Sequence, residues 1–338
     1  MSNRKGFLRN LPNIKPEVQP EFSEPSTEDL GTTGLPAVKL SDIELGDSLG
    51  RGASGSVEVA KLKTTNNTYA LKKIQYRESK ENIKQVVNEL HLLNKLHHPN
   101  IVQFYTAFYS GGFVYILMEL IQGGSLNDLL QISPQVPEDA LGGLAYQCLQ
   151  GLFHLRKNHI IHRDLKPSNI LITQKGEVKI ADFGMSKQLE QSTDKVQSFL
   201  GTMCYMSPER LREEKYGFLS DIWSFGIIIY QCAAGKYPLI DIKNPKNTNV
   251  WSLIGQLTND VTVQLPPQYS PEIVDFISGC LRIDPQERTA VDILLNHPWV
   301  QKYTKPEDQE PFIKWSGVIQ AKIAEKKKET LDSLKDFK

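Results

Sequence analysis

Ile161-His162-Arg163-Asp164-Leu165-Lys166-Pro167-Ser168-Asn169 places a carboxylate, a cation and a side-chain amide within six residues, Asp164 to Asn169. Transfer of a phosphoryl group from ATP asks little covalent chemistry of a protein. It asks for positioning, a base beside the attacking hydroxyl, and cations on the group in flight. Asp164 can accept the hydroxyl proton, Lys166 can neutralise charge on the γ-phosphate, and Asn169 can hold a magnesium ion through its amide oxygen. A three-residue His-Arg-Asp match would be weak evidence. Thirteen residues past Asn169, however, stands Asp182-Phe183-Gly184, whose carboxylate is the expected second magnesium ligand.

Working towards the N-terminus, Pro137 to Lys157 predicts a helix entered at a proline, with Leu141, Leu144, Ala145, Cys148, Leu149, Leu152 and Leu155 on one face. Cys148 on that stripe reads as core, not as a nucleophile. Phe113 to Met118 predicts a buried strand, broken by Glu119-Leu-Ile121-Gln-Gly-Gly-Ser125. That break suits a hinge whose backbone bonds an adenine ring, with Met118 behind it; a plain connector would have a similar composition. Ser79 to Leu96 predicts a helix, with Ile83, Val86, Val87, Leu90, Leu93 and Leu96 at helical spacing. Beyond its first turn, Glu89 is its only acid. His97 and His98, with no third ligand in view, read as the helix end.

Gly50-Arg51-Gly52-Ala53-Ser54-Gly55-Ser56-Val57 fits G-x-G-x-x-G-x-V. Glycines let the backbone and its bare N–H groups approach phosphate oxygens. The pattern alone is shared with dinucleotide-binding folds, which want a helix directly after the last glycine. Val57-Glu58-Val59-Ala60 alternates like a strand instead, so Ile43 to Val59 predicts a hairpin. On the next strand, Tyr69-Ala70-Leu71-Lys72, Lys72 is the candidate for the α- and β-phosphates, and alternation allows only one of Lys72 and Lys73 to face the cleft. Residues 1–40, with five prolines and few aromatics, cannot bury enough apolar surface to order themselves. Within them Arg4, Lys5 and Arg9 lie beside Phe7, Leu8, Leu11 and Ile14; this is either a docking segment for an acidic groove or a solvated basic tail.

Towards the C-terminus, Ile170–Ile172 and Val178–Ile180 predict a hairpin carrying Asn169 and Asp182 at its ends. Met185 to Glu209 is rich in hydroxyls, among them Ser192, Thr193, Ser198 and Thr202. A phosphate there would add about −1.5 to −2 charges, enough to order a loop against cations such as Arg163. Ser220 to Ala234 predicts a buried helix, with Asp221 expected to cap it and to hold the catalytic loop, and Arg288 is expected to pair with Glu209. Helices continue to about Val300. The tail 318–338 predicts a surface helix. The 338 residues suit one two-lobed unit with tails, and zero net charge points to neither nucleic acid nor an anionic membrane. Four scattered cysteines without a CxxC pair suggest reduced thiols in an intracellular protein.

Together these motifs resemble a eukaryotic protein kinase over residues 43–300. The resemblance implies an α+β, two-lobed fold: a small β-rich N-lobe (43–118), a hinge (119–124) and a larger, mainly helical C-lobe (125–300). It implies ATP and Mg2+ as cofactors. It assigns Asp164, Lys166 and Lys72 to catalysis, Lys72 being fixed by Glu89, and Asn169 and Asp182 to the metal. It places Leu49, Gly50, Gly52, Ala53, Ser54, Gly55, Val57, Ala70, Lys72, Glu89, Met118, Glu119 and Ile121 around the nucleotide.

Lys166, and Gly201-Thr202 ahead of Tyr205, resemble serine/threonine-type kinases. Within that group the catalytic stretch, Asp-Phe-Gly-Met-Ser-Lys-Gln-Leu (182–189), Tyr205-Met-Ser-Pro-Glu-Arg-Leu211 and Gly123-Gly-Ser-Leu126 resemble MAP kinase kinases. This implies phosphorylation of both Thr and Tyr in the Thr-x-Tyr loop of a downstream MAP kinase. It also implies activation by an upstream MAP kinase kinase kinase. The N-terminal basic-apolar segment resembles that family's docking motif without its φ-x-φ spacing. The region of Phe312 and Trp315, within the extension 301–338, resembles its docking region for upstream kinases. Ser192 and Ser198 stand six apart, like the plant-type Ser/Thr-x5-Ser/Thr spacing and unlike the animal one; Thr193 or Thr202 are further candidates. A monomer in the cytoplasm, with nuclear entry open, completes the expectation. The rivals are a serine/threonine kinase of the same cascade group with another protein substrate, and a non-enzymatic scaffold. The second is opposed by the presence of Lys72, Glu89, Asp164, Asn169 and Asp182.

Overall fold

A computed structural model describes residues 38–52, 55–76, 86, 90, 93, 96–183, 203–238 and 261–335. The N-terminal segment, Ala53, Ser54, Glu89, most of the helix expected over 79–96, and the loop hydroxyls Ser192, Thr193, Ser198 and Thr202 lie outside the described residues. Val86 and Leu90 within that stretch are helical and buried.

Five strands, β1 (Ile43–Gly52), β2 (Gly55–Leu62), β3 (Thr68–Gln75), β4 (Phe104–Ser110) and β5 (Phe113–Met118), form one antiparallel sheet in the order β1-β2-β3-β5-β4. Side-chain alternation gives the sheet two faces. Leu71, Tyr69, Tyr115 and Leu117 pack with Val38, Ile43 and Leu62 into a small outer cluster. Ile74, Phe104, Val114 and Ile116 join the main core, which runs on into the C-lobe. Lys72 and Lys73 divide as alternation requires. Lys72 is buried towards the cleft, and Lys73 lies over the Phe113 ring at 4.1 Å.

The C-lobe is built on α1 (Leu126–Ile132), α2 (Glu138–Lys157), the short hairpin β6 (Ile170–Ile172) and β7 (Val178–Ile180), and α3 (Pro208–Leu211) with α4 (Phe218–Ala234). It continues through α5 (Pro271–Cys280), α6 (Val291–Leu295), α7 (Pro298–Gln301) and α8 (Glu310–Lys335). α1 starts at a capping box: the Ser125 hydroxyl accepts from Asp128 N–H, and the Asp128 carboxylate accepts from Ser125 N–H at 2.8 Å. α4 is apolar on nearly every side and correspondingly buried, Trp223, Phe225 and Ile227–Ile229 fully so. A buried polar knot ties the lobes together. Asn100 donates its amide to Val178 O at 3.0 Å and to Gln147 Oε1 at 3.2 Å, while Ile180 N–H reaches Asn100 O at 2.9 Å.

Two expectations change. Asp221 does not cap α4: the helix begins three residues earlier, its N-cap is Gly217, and the Asp221 carboxylate points into the catalytic loop. The tail is not merely a surface helix. It starts at Glu310, and Phe312, Ser316 and Ile319 are buried against the C-lobe with Ile323 packed alongside. Residues 336–338 lie outside the described residues.

Candidate active site

The chain from Ile161 to Lys166 is held by hydrogen bonds rather than by regular structure, and Pro167–Asn169 closes it in one 3-10 turn. Asp221, on the first turn of α4, accepts from the N–H of His162 at 2.7 Å and of Arg163 at 3.0 Å. Burial raises the Asp221 carboxyl above its ordinary range, against the pull of His162 and of the two amides. His162 Nδ1 accepts from Asp164 N–H at 3.2 Å, so Nε2 carries the proton and donates to Ala181 O at 2.9 Å. Arg163 and Asp182 both adopt left-handed backbone, at φ +72° and +59°. Outside glycine such angles persist only where the surroundings over-determine them.

The three candidates of the quoted stretch meet at one carboxylate. Lys166 Nζ lies 2.8 Å from Asp164 Oδ2, and Asn169 donates its amide to the same oxygen at 3.0 Å and to Asp164 O at 2.7 Å. Asp164 Oδ1 is buried and has no hydrogen-bond partner among the described residues. One oxygen of the base is therefore fixed, and the other is left for a ligand's donor. With its nitrogen committed to Asp164, Asn169 has its amide oxygen to offer a cation.

Asp182 follows β7, and Ala181 N–H reaches Asn169 O at 2.8 Å, so the two metal candidates are locked to each other through the backbone. Lys72 Nζ lies 2.8 Å from Asp182 Oδ1. Burial pushes the Asp182 carboxyl up, but the Lys72 charge and hydrogen bond outweigh it and hold the group below the usual carboxylate range. Asp182 is thus ionised at neutral pH. An ionised carboxylate and an amide oxygen are the hard donors that magnesium accepts.

The nucleotide candidates fall in two cross-strand rows: Gly50, Val57 and Lys72 in one, Ala70 and Met118 in the other. Gly50 has open space where a side chain would begin, which leaves its backbone accessible to a ligand. Gly55 is required by the fold itself: at φ +145°, an added Cβ would lie 1.9 Å from Lys73 O. Leu49 is largely exposed at the rim. Met118 lines a small apolar cavity with Leu93, Val102, Ile116, Asp182 and Phe183. Glu119 N–H is taken by Gln103 O at 2.8 Å, leaving its carbonyl as the atom to bond a base, and Ile121 is half-buried beyond it.

Sequence reasoning missed what holds the hinge and the loop. Glu119 is clamped by Lys179 of β7 at 2.8 Å and by Gln103 N–H at 3.1 Å. Arg210 donates to Arg163 O. No motif marks either contact; each joins segments far apart in the chain. The expected pair of Glu209 and Arg288 is present, bidentate at 2.9 and 3.1 Å and almost wholly buried.

The protein kinase domain family model matches residues 43–300. Over 305 residues the chain is 38% identical to mitogen-activated protein kinase kinase 2 of Arabidopsis thaliana, covering 88% of this chain and 81% of that protein. Over 292 residues it is 40% identical to mitogen-activated protein kinase kinase 1c of Physcomitrium patens, covering 84% of each. Over 287 residues it is 40% identical to the dual specificity mitogen-activated protein kinase kinase dSOR1 of Drosophila melanogaster, covering 77% of this chain and 71% of that protein.

The chain belongs to the MAP kinase kinases.

As a MAP kinase kinase it is a dual-specificity protein kinase, a transferase of the MAP kinase cascade, and the family's general requirement for ATP and Mg2+ applies to it. A MAP kinase kinase has a MAP kinase downstream and an activating kinase upstream. Among the described residues of this MAP kinase kinase, no helix is long and apolar enough to cross a membrane.

Proposed function

We propose that the enzyme phosphorylates both the Thr and the Tyr of a MAP kinase's Thr-x-Tyr loop, with Asp164 as the base. The observation that carries this is the asymmetry of one carboxylate: Asp164 Oδ2 is held by Lys166 and Asn169, while the buried Oδ1 lacks a partner among the described residues. In this reading Oδ1 accepts the hydroxyl proton as the acceptor oxygen bonds to the γ-phosphorus and the bond to the β-phosphate oxygen breaks. Lys166, beside Asp164, meets the charge gathering on the transferred group. Lys72 orients the α- and β-phosphates. Asn169 and Asp182 would hold magnesium, which neutralises phosphate charge when bound. Positioned general bases contribute roughly 10²–10⁴-fold to such steps.

The enzyme's own loop, with Ser192 and Ser198 as the sites and Thr193 and Thr202 as further candidates, is the proposed switch. The basic-apolar N-terminal segment is the proposed grip on the MAP kinase. We place the enzyme in the cytoplasm as a monomer, where its substrate and activator are both reachable. The test is phosphosite mass spectrometry. The Ser192→Glu/Ser198→Glu variant is incubated with ATP, magnesium and kinase-dead MAP kinases, with Asp164→Asn as control. Thr and Tyr both modified within one Thr-x-Tyr loop is the expected result. Activity on a generic protein but on no MAP kinase would overturn the substrate reading.

A further inference from the structure

Arg163 immediately precedes the proposed base, and its left-handed backbone, φ +72°, is one that a long side chain rarely adopts. Something must hold it. Asp221 takes its N–H at 3.0 Å. Its carbonyl, the oxygen of the peptide bond that leads into Asp164, is taken by the guanidinium of Arg210. With the backbone N–H and C=O of Arg163 both tied, the plane of the Arg163–Asp164 peptide is set, and with it the direction in which the Asp164 side chain leaves the backbone.

Arg210 is itself well anchored. It lies on α3, one residue after Glu209, which is locked into the core by Arg288. Its guanidinium sits 5.3 Å from the ring centre of Tyr216. It thus lies over an aromatic face while donating to a carbonyl, a combination that suits a planar guanidinium better than a lysine ammonium. Its charge also favours the ionised form of Asp221, the other clamp on Arg163.

We propose that Arg210 is a positioning residue for phosphoryl transfer, acting through the Arg163 carbonyl to aim Asp164 at the acceptor hydroxyl. This rests on the assignment of Asp164 as base made above. It adds a residue outside the catalytic stretch to the reaction's requirements.

A purely structural arginine would predict a different outcome, and a double-mutant cycle separates the two. Arg210→Met is compared with the parent enzyme, and Arg210→Met/Asp164→Asn with Asp164→Asn, at saturating ATP with the phosphorylated product counted. Misplacing the base by an ångström lowers kcat by roughly ten- to a hundred-fold, so Arg210→Met is expected to show a loss of that order while the KM for ATP stays within about two-fold. In the Asp164→Asn background, where no base remains to be aimed, the same change is expected to cost about two-fold or less. Arg210→Lys, which keeps a donor and a charge but not the planar guanidinium over Tyr216, is expected to recover only part of the rate. Equal losses in both backgrounds, or an unchanged kcat, would overturn the proposal. Should Arg210→Met not fold, Arg210→Gln, polar but too short to reach Arg163, is taken through the same cycle. Failure of the parent enzyme to modify a Thr-x-Tyr loop would remove the substrate reading only; the cycle is then run on whichever protein the enzyme accepts.

Discussion

Lys72 on β3 and Asp182 after β7 meet at 2.8 Å across the boundary between the lobes. Among the described residues each is the other's ion-pair partner, with Lys72 buried and Asp182 largely so. Removing the cation should therefore be felt as pH-dependent stability. A carboxyl held below its unfolded value stabilises the fold above that value, and the contribution is lost as pH falls through the folded value. Lys72→Met is accordingly expected to cost most near neutral pH, and progressively less below about pH 4, where unfolded aspartates begin to protonate. Urea unfolding at several pH values checks it; a cost independent of pH would show that the pair does not couple to folding.

For Asp164→Asn the expectation is a fall in kcat of roughly 10²–10⁴-fold with nucleotide affinity retained. Asparagine preserves the shape that Lys166 and Asn169 pack against but cannot take the proton. Steady-state kinetics alongside a fluorescent-nucleotide titration separate the two effects. Near-parental turnover would mean that the unpartnered oxygen is not the base.

The Glu209–Arg288 pair sits beneath α3 with both side chains almost fully out of solvent. Burial raises the Glu209 carboxyl, but Arg288 more than reverses the shift, so it stays below the ordinary range. Arg288 also donates to Leu219 O at 2.7 Å and Arg282 O at 3.0 Å. Glu209→Ala strands a guanidinium in the core, and a loss of about 3–5 kcal/mol in unfolding free energy is expected. Denaturant titration measures it. A loss below about 1 kcal/mol, the scale of an exposed pair, would contradict the burial argument.

Phe312 on α8 is fully buried, with its Cβ against α2. Phe312→Ala is expected to cost about 3–5 kcal/mol, the range for a core aromatic, although the residue lies beyond residue 300, where the kinase-domain match ends. Thermal and denaturant unfolding of the full chain decide this. A change within about 0.5 kcal/mol, as at ordinary surface positions, would show that α8 rests on the C-lobe without sharing its core.

The cleft was legible in the sequence because its chemistry is written in spacing. Asp164, Lys166 and Asn169 stand close together, and Asp182 follows after one short hairpin, so few folds satisfy them all. Edges and supports were harder. β4 carries Phe104, Tyr105, Phe108 and Tyr109 in adjacent pairs, which blurs the alternation that marks a strand. Asp221 stood where a capping acid would be expected, but a helix beginning at Phe218 freed its side chain for the catalytic loop. From residue 318 onward the tail is rich in lysines and reads as surface. Its inward-facing residues, buried Phe312, Ser316 and Ile319 and partly buried Ile323, recur at helical spacing, but half of them lie before that point. Arg210 and Lys179 act through tertiary contacts that no local pattern encodes.

Gly142 and Gly143 sit side by side within α2, where each costs about 1 kcal/mol relative to alanine by helix propensity alone. The reason lies far along the chain. A Cβ on Gly142 would fall 2.1 Å from the Tyr303 ring, and one on Gly143 would fall 3.0 Å from Phe312 Cβ. The same alanine should therefore carry opposite signs in two settings, harmful where the segment after Val300 is docked and helpful where it is cut away. Substitution tolerance mapped on a shortened chain would misjudge this pair of positions, because the shape that forbids a side chain there is supplied by the tail.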